Sequence, residues 1–581
     1  MQKEKFIMPN YSKEDLDKLE ELKKELPYNE EIIRILYTRG YKTVDDIDIF
    51  LNSNINYMND ASLLRDADKF VEILRKAIEN NWLIVNYTDY DADGCCSAGV
   101  LLRSVRNIGG NIVYYTNNRF IGGYGMNVNG VKLLVEKYPD VKLIITTDNG
   151  ISSHEAVEYA KSLGIIVIVT DHHEVSINED GSQNLPKADA VVDAKRKDEI
   201  YPFDGMCGCG LIFKLMLYYY WATGEDVKYI YSLLDIVALA TQSDVVPLQN
   251  ENRIFIKEGL KLMNKDSRLC FELLKHECGI LKVDEVTLGF SFGPAINALG
   301  RIEGCIDKAI DFLTIDDEEY LIKTAKELVK INEYRKEISN EQQEIATEEI
   351  EKNGEIPNVI VSYREDYHEG VIGIVAGRLK ERFNRPAIVL SPSGSDEHGR
   401  IWKASARSLH PVHMYESLKK LSSYLITFGG HEMAAGFSMY EDQIEPFKKA
   451  FNELLEGIEF KKEILIDAIL DAKTLDLERL EELELLKPFG EGFPKPLFGL
   501  FNFEVDITRK TRYDSKGGLR VSNKEGLMLL MFGQGEYYKN MGEPIYLKAI
   551  GSPSINTFNG KSYPQFIIKD TYLVKDNKKR S

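Results

Sequence analysis

Trp82-Leu83-Ile84-Val85-Asn86-Tyr87-Thr88-Asp89-Tyr90-Asp91-Ala92-Asp93-Gly94 begins as an apolar run and ends in three alternating carboxylates and a glycine. The run predicts a buried strand, with the acidic cluster at its C-terminal end. The same arrangement recurs twice: Leu143 to Ile145 leads to Asp148-Asn149-Gly150, and Ile165 to Val169 leads to Asp171-His172-His173. With Ile112 to Tyr115 and Ala190 to Val192, these short runs alternate with helical patterns. That alternation predicts a parallel sheet covered by helices. In open sheets of this kind the ligand site lies beyond the C-terminal strand ends, so all three clusters are expected in one crevice.

Asp89-x-Asp91-x-Asp93-Gly94 also matches the opening of a calcium-binding EF-hand loop. That loop needs Glu at its twelfth position and a helix before it. Here Val100 stands at the twelfth position and a strand pattern precedes, so calcium is set aside. Carboxylates joined by imidazoles suit hard divalent ions such as Mn²⁺ or Mg²⁺. Asp244, closing the helical segment from Asp235, adds a further carboxylate. Two ions about 3.5 to 4 Å apart can clamp a phosphate, activate a water and stabilise a leaving oxygen, and several carboxylates are needed to hold them.

The chain has 581 residues, enough for three or four domains, and its 44% hydrophobic and 28% charged content is that of a globular protein. Its seven cysteines are scattered and include no CxxC pair, which disfavours both a disulfide framework and structural zinc. The N-terminus opens with a charged helical pattern, and the apolar stretch Leu211 to Ala222 is too short to span a bilayer; a cytoplasmic location without a membrane anchor is expected. The net charge of -19 is uneven. Residues 501–581 hold 14 Lys plus Arg against 8 Asp plus Glu, so this tail is +6 and residues 1–500 carry -25. A basic module on an acidic body is a candidate nucleic-acid surface.

Five segments are expected: a helical cap over 1–80, a catalytic α/β domain over 81–315, a connecting helix over 316–353, a second α/β domain over 354–457, and a C-terminal small β-barrel over 458–581. The connecting segment lacks Gly and Pro through Lys352 and would span roughly 50 Å. The barrel pattern rests on short strand-like runs at Leu527 to Phe532, Tyr546 to Ile550 and Gln565 to Ile568.

Asp-Tyr-Asp-Ala-Asp-Gly at 89–94, Thr-Asp-Asn-Gly-Ile-Ser at 147–152, Asp-His-His at 171–173 and the segment ending in Asp244-Val245-Val246-Pro247-Leu248 together resemble the ordered motifs of the DHH phosphoesterase superfamily. Asn118-Arg119-Phe120, Gly123-Tyr124-Gly125, Gly293-Pro294-Ala295-Ile296-Asn297-Ala298, His368-Glu369-Gly370, Ser405-Ala406-Arg407-Ser408, Gly429-Gly430-His431 and Pro488-Phe489-Gly490-Glu491-Gly492 resemble its RecJ branch. The resemblance implies a DHH domain, a DHH-associated domain and an oligonucleotide-binding fold, acting as a 5′-to-3′ exonuclease on single-stranded DNA threaded between the two α/β domains. It implies Asp91, Asp93, Asp148, His172 and Asp244 as ligands of two Mn²⁺ or Mg²⁺ ions, with Asp148 bridging, His173 facing the scissile phosphate and Asp89 as a further acidic candidate.

By the same resemblance Arg119 and Tyr124 meet the strand near its 5′ end, Ser405 and Arg407 bind the 5′ phosphate, and His431 contacts phosphate or the active site. The tail aromatics Phe501, Phe503, Tyr513, Phe532, Tyr537 and Tyr538 fit a base-stacking groove. A monomer working with single-stranded DNA is expected, with a single-strand-binding protein or a helicase as candidate partners. A phosphodiesterase for short oligoribonucleotides or cyclic dinucleotides and an inactive replication scaffold are the alternatives; the added basic barrel speaks against the first and the intact ligand set against the second. Four positions depart from the family pattern: Asp193-Ala194 in place of Asn-Pro, Ala295 in place of Arg and Phe493 in place of Asn.

Overall fold

A computed structural model of the chain describes residues 5–573 other than 121, 124, 179, 353, 462, 474, 506–511, 514–518, 523–526, 532–544 and 559. It divides into two compact units, one of residues 58–460 and one that joins residues 1–57 to residues 461–581.

In the larger unit, Leu83–Thr88 (β1), Ile112–Thr116 (β2), Val141–Thr147 (β3), Ile166–Thr170 (β4) and Ala190–Val192 (β5) form an all-parallel sheet in the order β2-β1-β3-β4-β5. Central β1 is buried along nearly its whole length, as a strand covered by helices on both faces must be. Its one amide, Asn86, donates within the sheet to the Ile145 carbonyl at 3.1 Å and to Thr147 Oγ1 at 3.0 Å, while its buried Oδ1 has no partner among the described residues. The strand order reverses at β1 and β3, which opens the crevice of a doubly wound sheet at their C-terminal ends.

Helix Ala92–Asn107 (α1) starts inside the acidic cluster because Asp91 caps it, accepting from the Gly94 N–H at 3.0 Å. Gly208–Thr223 (α2), Leu234–Ser243 (α3) and Gly293–Ile302 (α4) follow, and Glu318–Lys352 (α5) is one helix of 35 residues. Helix α5 leads to a second sheet made of Ile360–Tyr363 (β6), Ala387–Asp396 (β7), Gly399–Arg407 (β8), Thr427–Gly430 (β9) and Ala434–Tyr440 (β10), with Ile372–Phe383 (α6) packed against it. Its order is β9-β10-β8-β7-β6, and every pair except β6 with β7 is antiparallel. Along β8 the side chains alternate. Trp402, Ala404 and Ala406 enter a core with Phe437 and Phe447, which leaves Lys403, Ser405 and Arg407 on the opposite face.

In the smaller unit, Ile32, Ile35, Leu36 and Phe50 share a core with Leu470, Phe493, Phe498, Leu500 and Phe566. The helical stretch expected over 1–80 is therefore divided between the two units, with the N-terminal helices packed on the C-terminal module. Phe493, one of the departures from the family pattern, is fully buried, with its ring 4.6 Å from Phe50 and the Arg39 guanidinium 4.4 Å from its centre. It packs as a core aromatic with a cation on its face. Among the described residues, seven strands of the module lie in the spatial order Ala468–Asp471, Phe498–Val505, Ile545–Phe558, Lys561–Leu573, Met528–Met531, Leu519–Ser522 and Arg512–Tyr513. Among the described residues no helix is long and apolar enough to cross a membrane.

Candidate metal centre

Each acidic cluster is delivered by a strand end. Asp89, Asp91 and Asp93 follow β1, Asp148 follows β3, Asp171 to His173 follow β4, and Asp244 ends helix α3. They converge into three overlapping donor groups whose ligand atoms lie within 4.8 Å of one another: Asp89 with Asp91 and Asp148, Asp93 with His172 and Asp244, and Asp148 with His172 and His173. His172 Nε2 is 3.0 Å from Asp148 Oδ1 and 3.7 Å from both Asp93 Oδ2 and Asp244 Oδ2. Asp148 and His172 thus each belong to two groups.

The backbone is shaped for this convergence. Asp148 sits at φ 60° and Val245, directly after Asp244, also at φ 60°, a left-handed conformation that a β-branched residue adopts only under constraint from its surroundings. Gly208 opens α2 against the site: a Cβ there would stand 2.8 Å from Asp148 Cβ and 3.1 Å from Asp93 Oδ2. This close approach lets the Gly208 and Cys209 N–H groups donate to the two Asp93 oxygens at 2.7 and 2.9 Å, fixing that carboxylate at a helix N-terminus.

The electrostatics are those of carboxylates crowded together out of water. Burial first, and then the neighbouring carboxylates, push Asp89, Asp148 and Asp244 well above the ordinary carboxylate range, and Asp93 up to about 6. Asp89 Oδ1 is buried with no hydrogen-bond partner among the described residues. An orphaned acceptor among crowded carboxylates is what a hard cation would satisfy, so the donors fit Mn²⁺ or Mg²⁺. Burial, and next the adjacent His173, pull His172 down to about 3, which keeps its imidazole neutral, as a ligand requires. Burial also opposes charge on His173, but the Asp171 hydrogen bond and the surrounding carboxylates prevail and raise it to about 9.

Asp171 has no role that its place in the sequence assigns, and the structure supplies one. Its Oδ1 accepts from His173 Nδ1 at 2.7 Å and from the His172 and His173 N–H groups at 2.8 and 3.2 Å, while Oδ2 accepts from the Ile151 N–H at 2.9 Å. One carboxylate therefore sets both histidines. Asn149 does similar work for the loops, donating to the Tyr87 and Thr147 carbonyls and accepting from the Met126 N–H. Asn297 of α4 accepts from the Ala92 N–H at 2.8 Å. The motif letters Asp171, Asn149 and Asn297 are visible in the sequence; their partners, up to 205 residues away, are not.

Of the candidate substrate residues, Arg119 is half-buried with its guanidinium 5.0 Å over the Tyr90 ring, inside the acidic cluster. Arg407 donates to Ser405 Oγ at 3.1 Å, and Gly373 at the start of α6 lies against both side chains. Exposed His431 lies in the turn between β9 and β10, beside the end of β8, since Ala434 pairs with Arg407; it joins none of the three donor groups. Tyr124, Phe532, Tyr537 and Tyr538 lie outside the described residues, as do the side chains of Phe501, Phe503 and Tyr513.

Three families match in the order of this architecture: the DHH family, N-terminal domain, over residues 83–241, the DHHA1 domain over 357–457, and the RecJ OB domain over 466–570. The single-stranded-DNA-specific exonuclease RecJ of Bacillus subtilis (strain 168) is 32% identical over 564 residues, 96% of this chain and 70% of that protein. The single-stranded-DNA-specific exonuclease RecJ of Salmonella typhimurium (strain LT2) is 34% identical over 512 residues, 83% of this chain and 85% of that protein. Among solved structures, RecJ from Thermus thermophilus in complex with Mn²⁺ superposes with a TM-score of 0.80 at 25% identity, over 98% of this chain and 79% of that one.

Proposed function

The chain belongs to the RecJ family of DHH phosphoesterases, and from that premise we propose that it is an exonuclease that hydrolyses single-stranded DNA from the 5′ end to nucleotide monophosphates, using two Mn²⁺ or Mg²⁺ ions. The observation that carries this reading is the set of three donor groups joined through Asp148 and His172 at the strand ends of one sheet. In our assignment Asp89, Asp91 and Asp148 would hold one ion, and Asp93, His172 and Asp244 would hold the other. Two bound ions supply charge neutralisation at the phosphate and a more acidic attacking water.

The chain's own residues do the rest. Asp171 orients His173 toward the scissile phosphate, and the two α2 N–H groups keep Asp93 in place. Arg119 meets the strand beside the acidic cluster, while Ser405 and Arg407 bind the 5′ phosphate, for which the guanidinium offers a planar two-point fork. Tyr124 and His431 complete the substrate contacts in this assignment. The basic C-terminal module adds a single-strand-binding surface. In the cell the chain works as a cytoplasmic monomer in DNA repair and recombination, taking strands exposed by a helicase or covered by a single-strand-binding protein.

The test is hydrolysis of 5′-labelled and 3′-labelled DNA, single-stranded and duplex, with Mn²⁺, Mg²⁺ or chelator. The 5′ label should be released first from single strands, only with divalent ions. Preference for di- and oligoribonucleotides would replace the DNA reading, and no hydrolysis of any strand with Mn²⁺ would leave a scaffold.

A further inference from the structure

Helix α4 follows directly on a π-helical turn, Leu288–Phe292. Turns of this kind are rare beside α-helices and recur at functional sites. This one is anchored twice. Phe292 is fully buried against Phe271, their rings nearly parallel and 6.2 Å apart. Gly289 and Gly293 lie against the end of α3: a Cβ on Gly289 would stand 3.4 Å from Gln242 Nε2, and one on Gly293 would run into Ser243 Oγ. Ser243 directly precedes the donor Asp244, so the turn is packed on the helix that ends in the metal centre.

Phe290, between these anchors, is 73% exposed, and no other phenylalanine among the described residues is exposed. With Pro294, Asn297 and Arg301 it recurs at spacings of four, three and four residues, which is one face of a helix. All four are at least partly accessible, whereas Leu288, Phe292, Ala295, Ile296 and Leu299 are buried. Two members show where the face looks. Asn297 Oδ1 accepts from the Ala92 N–H inside the acidic cluster at 2.8 Å, and Arg301 Nη1 donates to the Gly370 carbonyl at 3.3 Å. Gly370 leads into α6, whose Gly373 lies against Ser405 and Arg407. This face therefore runs from the candidate 5′-phosphate contacts, past the acidic cluster, to Phe290. At ~1.5 Å per residue, Phe290 stands roughly 10 Å along the helix from Asn297, on the side away from Arg301. Val245, directly after Asp244, is exposed as well.

We propose that Phe290 is a base-stacking residue of the substrate site, its ring taking the face of a nucleobase on the 3′ side of the scissile phosphate. The proposal rests on the reading of the chain as an exonuclease for single-stranded DNA. With the 5′ phosphate at Ser405 and Arg407 and the scissile phosphate at the ions, the remaining strand leaves along α4 toward its N-terminal end. A phenyl ring offers a π-face to any base and no hydrogen-bonding group, so the contact is indifferent to sequence, as stepwise degradation requires. A duplex keeps its bases stacked and paired, so the same ring favours single strands.

Full-length wild type, Phe290→Ala, Phe290→Leu and Phe290→Trp are compared with Mn²⁺ in release of the first nucleotide from 5′-phosphorylated single strands. The strands are intact or carry one abasic site at successive positions from the 5′ end. Wild type must degrade the intact strand; failure at that step overturns the exonuclease reading itself. With wild type active, an abasic site at the stacked position should raise KM about tenfold, as for one lost base contact. Phe290→Ala should raise KM for the intact strand by the same factor, leave kcat within about twofold, and no longer respond to the abasic site at that position. Phe290→Trp should restore both KM and the abasic response. Phe290→Leu should restore neither, since it keeps apolar area and loses the aromatic face.

An abasic response that Phe290→Ala abolishes supports the contact. Identical abasic profiles in wild type and Phe290→Ala, or an unchanged KM, overturn it. So does a wild-type dimer that Phe290→Ala dissociates in sedimentation, which would make the ring a contact between copies of the chain. If Phe290→Ala does not fold, the same profile read on Phe290→Leu against Phe290→Trp decides.

Discussion

The two sheets of the larger unit use their strands differently. In the parallel sheet, β1, β3 and β4 run the same way, so the loops after them meet at one rim, and Asp89 to Asp93, Asp148 and His172 gather there from three loops. In the second sheet β8 runs antiparallel to both neighbours, and consecutive loops leave at opposite ends. Its candidate contacts, Ser405 and Arg407, come from alternate positions along one strand instead. A parallel rim concentrates charge at a point, as catalysis needs, while a strand face sets out donors at a fixed spacing, as holding a repeating phosphate chain needs.

The comparison breaks most visibly at Asp148. Asp148→Ala removes the carboxylate common to two donor groups, and kcat should fall about a thousandfold while circular dichroism stays unchanged. Activity within a few-fold of wild type would place the chemistry elsewhere. Gly208→Ala tests how closely the rim must be packed. The added methyl would meet Asp148 Cβ at 2.8 Å, so α2 must shift and carry Asp93 with it. A loss of about a hundredfold in rate is expected, together with weaker Mn²⁺ binding by calorimetry.

On the strand face the expected signature is different. Arg407→Gln should raise KM about tenfold for 5′-phosphorylated single strands and leave kcat within about twofold. A fall in kcat with KM unchanged would move Arg407 from holding the strand to the reaction itself.

The smallest effect is expected at Asp193, just beyond β5, at the edge of the same rim. Its carboxyl is fully buried, Oδ2 has no partner among the described residues, and burial above all raises its pKa to about 8. The folded chain therefore keeps a proton that the unfolded chain has lost, and stability attributable to this group falls as pH rises from about 4 to about 8. Asp193→Asn, a neutral near-isostere, should melt a few degrees above wild type at pH 8, with the advantage shrinking toward pH 4. Thermal melts across that range measure it, and a constant difference would show that Asp193 does not titrate there.

What was legible in the sequence was local. Apolar runs that end in acidic residues marked β1, β3 and β4, and the absence of Gly and Pro marked α5, because period and breakers act over a few residues. Phe493 stood out as a departure, but its reason, a core shared with Phe50 and a cation from Arg39, lies more than 400 residues away in the chain. The pairing of the N-terminal helices with the C-terminal module was hidden for the same cause. Apolar faces show in sequence that they will be buried, without naming the partner.

By itself, then, the sequence determined the strand-and-loop order, the donor types and the hard-ion chemistry they select, since carboxylate and imidazole preferences belong to the residues wherever they stand. Only the tertiary structure decided which donors share a site, that Asp171 sets both histidines, and that Gly208 must approach Asp148. Each of those depends on distances between segments far apart in the chain. Packing of the whole fold sets them, and no local pattern encodes them.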